Sequence, residues 1–188
     1  MRVLNCDKQP DQPFPRQEDY DYRKEEEELV KFDVDYLIKC LGMERNTFYK
    51  IIGRPDIANR QSPQPDYLIR DCKTGDLMTI EHARFFESEK AEKGLAYLAK
   101  KLPIVSRWIN FPTPEQLGQR LSEFVSEKLS KGQFKNFSHT ERILLARDQW
   151  GGVLIRTLIK AKPYFTEPVD CDHFYLILIA EGKLLEVF

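Results

Sequence analysis

Two stretches in the last quarter of the chain, HFYLILIA (173–180) and KLLEVF (183–188), are apolar almost without interruption, and ERILLARD (141–148) ahead of them reads as a further strand. A strand with one wet face alternates polar and apolar residues, so runs of this kind belong to strands covered on both faces. Glu181-Gly182 supplies the turn between the last two strands, and VLIRTLIKAK (153–162) is read as a short helix between the first two. With 188 residues and 41% hydrophobic content, the chain can bury one sizeable core and hardly two. Residues 1–22, with Pro10, Pro13 and Pro15 among polar neighbours, are expected to form an extended arm, and 23–188 a single domain.

Upstream, RKEEEELVKFDVDYLIKCLG (23–42) places Leu29, Phe32, Tyr36, Leu37, Cys40 and Leu41 at steps of three and four, the period of a helix with one buried stripe. Gly42 is positioned to end it. Glu25 and Glu26 fall toward the stripe, whereas Glu27 and Glu28 turn to solvent. Residues 42–64 read as mostly connection, with FYKII as a short apolar island and Pro55-Asp56 as turn chemistry. A helix is expected after Arg84 on Ala91, Leu95, Leu98, Ala99 and Leu102. Another is expected from Thr113-Pro114-Glu115-Gln116, a Thr cap with proline in the first turn and Gln at the third position, leading into Leu117, Leu121, Phe124, Val125 and Leu129.

The chemistry concentrates in QPDYLIRDCKTGDLMTIEHAR (64–84). Pro65-Asp66 opens one apolar run, Lys73-Thr74-Gly75-Asp76 turns the chain, and the second run ends near Glu81, which reads as a β-hairpin. Strand side chains alternate, so Glu81 and Ala83 share one face while His82 and Arg84 share the other. If Asp66 faces the same side as Glu81, the two carboxylates converge on a space suited to Mg²⁺, which takes one or two carboxylates and completes its shell with water and phosphate oxygens. His82 is assigned a packed or salt-bridged role. Trp108, Phe111, Phe134, Phe137 and Trp150 are assigned mostly to the core.

Charge is uneven although the net value is −1. Residues 18–28 hold seven acids and two bases, while 128–162 hold eight Lys/Arg against Glu141 and Asp148. Lys128, Lys131, Lys135, Arg142 and Arg147 are therefore candidates for holding a nucleic acid backbone. Four cysteines, Cys6, Cys40, Cys72 and Cys171, form no CxxC pair and are expected to be reduced thiols, not ligands or bridges. Cys171-Asp172-His173 is not expected to bind metal, and His173 is read as a strand-entry residue. No apolar run reaches the ~18 residues of a membrane span, and the amino terminus lacks an apolar leader, so the expectation is a cytoplasmic, soluble protein with no membrane partner.

The order of acidic helix, Pro-Asp opening a strand, turn, strand with Glu, helix and strand, with Glu81 fifteen positions after Asp66, resembles the PD-(D/E)xK nuclease superfamily and its restriction-endonuclease-like fold. The resemblance spans roughly residues 23–147 and implies an α/β architecture, a mixed central sheet flanked by helices. It implies metal-dependent hydrolysis of nucleic acid phosphodiesters, with Asp66 and Glu81 binding Mg²⁺ or Mn²⁺ and Glu25 or Glu26 matching the acid of the first helix. The family's lysine two residues after the acid is Ala83 here, and alanine can neither orient a water nor stabilise developing charge. Arg84, re-aimed by a β-bulge, or Lys90 and Lys93 of the following helix are the candidate replacements. Two further readings stay open: the same fold without catalysis, binding nucleic acid or a protein partner, and an interaction protein or homo-oligomer using the strand edge left by the final hairpin.

Overall fold

The computed structural model describes residues 1–4, 24–59, 62–85, 112–148, 153–168 and 170–188, with the side chains of 24–26 outside the description. Seven strands form one sheet: β1 (Arg2–Leu4), β2 (Tyr49–Gly53), β3 (Tyr67–Asp71), β4 (Leu77–Phe85), β5 (Glu141–Asp148), β6 (His173–Leu178) and β7 (Lys183–Glu186). The helices are α1 (Lys24–Arg45), α2 (Pro55–Ala58), α3 (Pro114–Ser130) and α4 (Ile155–Ala161). Strand order is β1-β7-β6-β5-β4-β3-β2. The middle trio β4, β5 and β6 is parallel, and every other neighbouring pair is antiparallel, so the sheet is mixed.

Helices cover both faces of the middle strands. On one face Val34, Leu37 and Leu41 of α1 pack on Ile69, Ile80, Ile143, Tyr175 and Ile177. On the other, Leu117, Leu121, Phe124 and Val125 of α3, with Leu158 of α4, cover Phe85, Leu144, Ala146, Phe174 and Leu176. Alternation along β5 sends Ile143 and Leu145 to the α1 side and Leu144 and Ala146 to the α3 side. Each Val, Leu, Ile or Phe side chain among these contributes about 1.5–3 kcal/mol when fully buried.

α3 starts as its sequence dictates. Thr113 accepts a hydrogen bond from the Gln116 N–H, and the Gln116 side chain accepts one back from the Thr113 N–H. Within α3, Gly118 is required by close packing: a Cβ there would lie 2.6 Å from the Ala161 carbonyl oxygen and 2.7 Å from Tyr164 Cβ. Gly118→Ala is therefore expected to lower stability by about 1–3 kcal/mol through overpacking, outweighing the gain in helix propensity. Thermal unfolding would check this, and a neutral or raised midpoint would show that α3 and α4 separate at little cost.

Several expectations need correction. Gly42 does not end α1, which runs on to Arg45 and stops at Asn46, whose φ of 50° is left-handed. The FYKII island is edge strand β2, with Tyr49 and Ile51 packed toward α1. Pro55-Asp56 begins α2 with proline in its first turn. The edge of the final hairpin is not open, because β1 pairs along β7 with Val3 opposite Leu185. Cys40 is disulfide-bonded, contrary to the expectation of four reduced thiols, while Cys72 and Cys171 are free. The helix expected after Arg84 and the aromatic residues Trp108, Phe111 and Trp150 lie outside the described residues. No helix among the described residues is long and apolar enough to cross a membrane.

Candidate functional site

The hairpin of β3 and β4 sets the geometry. Gly75 in the turn has φ 84°, and the register pairs Tyr67 with Ile80 and Ile69 with Met78. Asp66, one step before Tyr67, therefore stands across from Glu81. Residues opposite one another on antiparallel neighbours share a face, so both carboxylates lie on the α3 side of the sheet. The interleaved residues Tyr67, Ile69, Met78 and Ile80 are buried against α1.

Asp66 is held in place by its neighbours. Its Oδ2 accepts a 2.7 Å hydrogen bond from the His82 N–H. Its carbonyl oxygen accepts from Arg54 Nε at 2.9 Å, and the Arg54 guanidinium also pairs with Asp56 and stacks over the Tyr67 ring. Glu81 Oε1 accepts from Gln133 Nε2 at 3.1 Å. Gln133 follows the end of α3, where Gly132 in a left-handed conformation turns the chain back toward the sheet.

Both acids are held above their ordinary range. Burial raises Asp66, partly offset by the His82 N–H bond. Burial and the charge of Asp66 push Glu81 up to about 8, against the opposing pull of the Gln133 bond and of Lys128 and Lys131. A half-buried acidic pair whose members disfavour each other's ionisation is the arrangement that a divalent cation relieves. No cluster of three or more His, Cys, Asp or Glu side chains that could hold a metal occurs among the described residues. Among the described residues a cation here would have two carboxylates at most.

The other candidates divide. Lys128 and Lys131 stand near enough to act electrostatically on Glu81. Lys135 is exposed. Arg142 is tied to Asp172 by two side-chain hydrogen bonds of 3.0 and 2.9 Å. Arg147 does not belong with the backbone-binding set: it is 1% exposed and ion-paired with Asp33, out of reach of a polyanion. Arg84 is not re-aimed, because β4 pairs with β5 in unbroken register from Met78 to Phe85. It therefore stays on the face opposite the carboxylates. Ala83 is 6% exposed and part of the α3-side core. The side chains of Glu25 and Glu26, and all of Lys90 and Lys93, lie outside the described residues.

On the α1 side, the His82 ring completes the frame. Its Nε2 lies 2.9 Å from Asp33 Oδ2, and Asp33 Oδ1 accepts from Arg147 Nη1, all three side chains being buried. His82 thus links α1 to the carboxylate site, its ring bonding one acid and its N–H the other. The reading of His82 as salt-bridged agrees with this geometry, but Asp33, Arg54 and Gln133 were not anticipated. Asp33 was legible in principle, since it sits four residues before Leu37 on the buried stripe. His173 opens β6, in keeping with its reading as a strand-entry residue, and bridges Glu141 and Glu186. No protein-family model, curated protein or solved structure matches this chain.

Proposed function

We propose that Asp66 and Glu81 form a divalent-metal site serving hydrolysis of nucleic acid phosphodiesters, in a nuclease-like protein of restriction-endonuclease-like fold. The observation that carries this is the placement of the two carboxylates, facing each other on neighbouring strands and both raised by burial. The succession α1, β2, α2, β3, β4, α3, β5 among the described residues, with β4 and β5 parallel, supports the fold part of the reading. Fold alone confers no activity, so the site carries the functional weight.

In this reading Asp66 and Glu81 hold Mg²⁺ or Mn²⁺, which when bound lowers the pKa of a coordinated water and neutralises phosphate charge. Lys128 and Lys131 hold a substrate phosphate against the carboxylates, and Arg54 fixes the backbone from which Asp66 projects. A second reading is favoured by one observation: Ala83, where the resembled family carries lysine, is core. The fold would then bind nucleic acid or a protein without cutting anything.

Calorimetric titration of Mg²⁺ and Mn²⁺ into the wild type and into Asp66→Asn/Glu81→Gln tests the proposal. The expected result is binding by the wild type that the double variant loses, followed by metal-dependent cleavage of single-stranded or duplex nucleic acid. No binding up to millimolar concentrations would discard the metal site. Binding without cleavage of either substrate would favour the inactive module.

A further inference from the structure

Gln133 presents an unmet requirement beside the two carboxylates. The residue is 7% exposed, its Nε2 is committed to Glu81 Oε1, and its Oε1 is buried with no hydrogen-bond partner. A buried carbonyl oxygen ordinarily has a donor, and one left without needs a physical reason such as a bound water or ion. Turning the amide over does not remove the problem. The NH₂ group, with two donors, would then take the orphaned place and leave a buried donor without an acceptor. With Nε2 on Glu81 Oε1, the orientation leaves an oxygen lone pair beside an acidic pair.

Position reinforces this. Gln133 is delivered to the sheet by a left-handed glycine directly after α3, on the same side as Asp66 and Glu81. Hard divalent cations are bound by oxygen ligands, and an amide carbonyl oxygen can take one place in the shell beside carboxylates and retained water. A site with only two carboxylates gains a neutral third ligand from the protein in this way.

We infer that Gln133 is the third protein ligand of the divalent cation, its Oε1 binding the ion while its Nε2 orients Glu81. The inference rests on the metal-site reading above. Glu81 and Gln133 then act as one unit: the amide hydrogen bond holds Glu81 in place, and the carbonyl completes the oxygen set. The missing lysine at Ala83 is not replaced by this. Gln133 contributes to ion affinity, and the nearby Lys128 and Lys131 are left to contact phosphate.

The test is Mn²⁺ affinity by calorimetry, with free Mn²⁺ counted independently by electron paramagnetic resonance. Wild type, Gln133→Leu, Gln133→Glu and Asp66→Asn/Glu81→Gln are compared, and each fold is confirmed by circular dichroism and metal-free thermal unfolding. Gln133→Leu is expected to weaken Mn²⁺ binding about 10-fold or more, on the scale of losses at metal sites. Its metal-free midpoint should be at or above the wild-type value, because the orphaned oxygen is gone. Gln133→Glu is expected to tighten binding, since it adds a charged oxygen at the same place. If Gln133→Leu binds within about twofold of wild type while the double variant binds nothing, the inference on Gln133 fails and the metal site stands. If Gln133→Leu weakens binding but Gln133→Glu does so equally, Gln133 only positions Glu81 and the ligand role is overturned. Absence of binding by the wild type would remove the metal site itself, and this inference with it.

Discussion

Asp33→Ala is expected to destabilise the protein by about 3–5 kcal/mol, the usual consequence of removing one member of a buried ion pair. The Asp33 carboxylate is fully buried and engages both the His82 ring and the Arg147 guanidinium, itself 1% exposed. Without it a buried cation loses its anionic partner in a medium that solvates it poorly. At this chain length the loss corresponds to a fall of about 10 °C in the unfolding midpoint, a large share of the ~5–15 kcal/mol typical of a folded domain. Joint replacement, Asp33→Leu with Arg147→Met, is expected to cost much less than Asp33→Ala, since both charges leave together. Denaturant unfolding of the three proteins would decide. A cost below about 1 kcal/mol for Asp33→Ala would mean that apolar contacts alone fix α1 to the sheet. The effect should extend to the site, because His82 carries both the ring that bonds Asp33 and the N–H that holds Asp66.

What the sequence made legible was local. The β3–β4 hairpin followed from Pro65-Asp66, the Lys73–Asp76 turn and two short apolar runs, and the α3 cap from Thr113 and Gln116; both rest on neighbours a few residues apart. The nearly unbroken apolar runs of β6 and β7 announced buried strands. β2 was missed because Phe48 and Ile52 put apolar groups on exposed positions, 82% and 38% exposed, and masked the alternation of Tyr49 and Ile51. β1 was missed because three residues carry no period, and only the free edge of β7 makes them a strand. Gly42 was read as a helix stop when it serves close packing, a Cβ there lying 2.8 Å from the Thr47 carbonyl oxygen. In the candidate site, alternation sufficed to put Glu81 and Ala83 on one face. No sequence rule places Gln133, 52 residues later, against Glu81, or Asp33 against Arg147, 114 residues apart. Such pairings are set by how helices lie on the sheet.

In metal-free buffer near pH 8, Glu81→Gln is expected to raise stability by about 2–3 kcal/mol. Burial and the neighbouring Asp66 charge lift the Glu81 carboxyl from an ordinary 4.5 to about 8. A carboxyl raised on folding binds more protons in the native state than in the unfolded one between those values, so native stability declines as pH rises from about 4.5 to 8. At ~1.4 kcal/mol per pH unit the full window would approach 5 kcal/mol, and water at the partly exposed carboxylate reduces this to roughly half. The glutamine side chain carries no charge, keeps an oxygen for the Gln133 Nε2 donor, and brings an NH₂ group near the orphaned Gln133 oxygen. Its stability should therefore vary less across the same pH interval. Mg²⁺ should distinguish the two proteins: it stabilises the wild type by supplying the missing positive charge, by about 2.7 kcal/mol when its concentration is a hundred times the dissociation constant, and leaves Glu81→Gln nearly unmoved. Thermal unfolding from pH 5 to 8, with and without Mg²⁺, measures both. A Glu81→Gln variant less stable than wild type at pH 8 without metal would mean that Glu81 is held by favourable partners and not by an unrelieved acidic pair. The case for a cation between Asp66 and Glu81 would then lose its energetic basis.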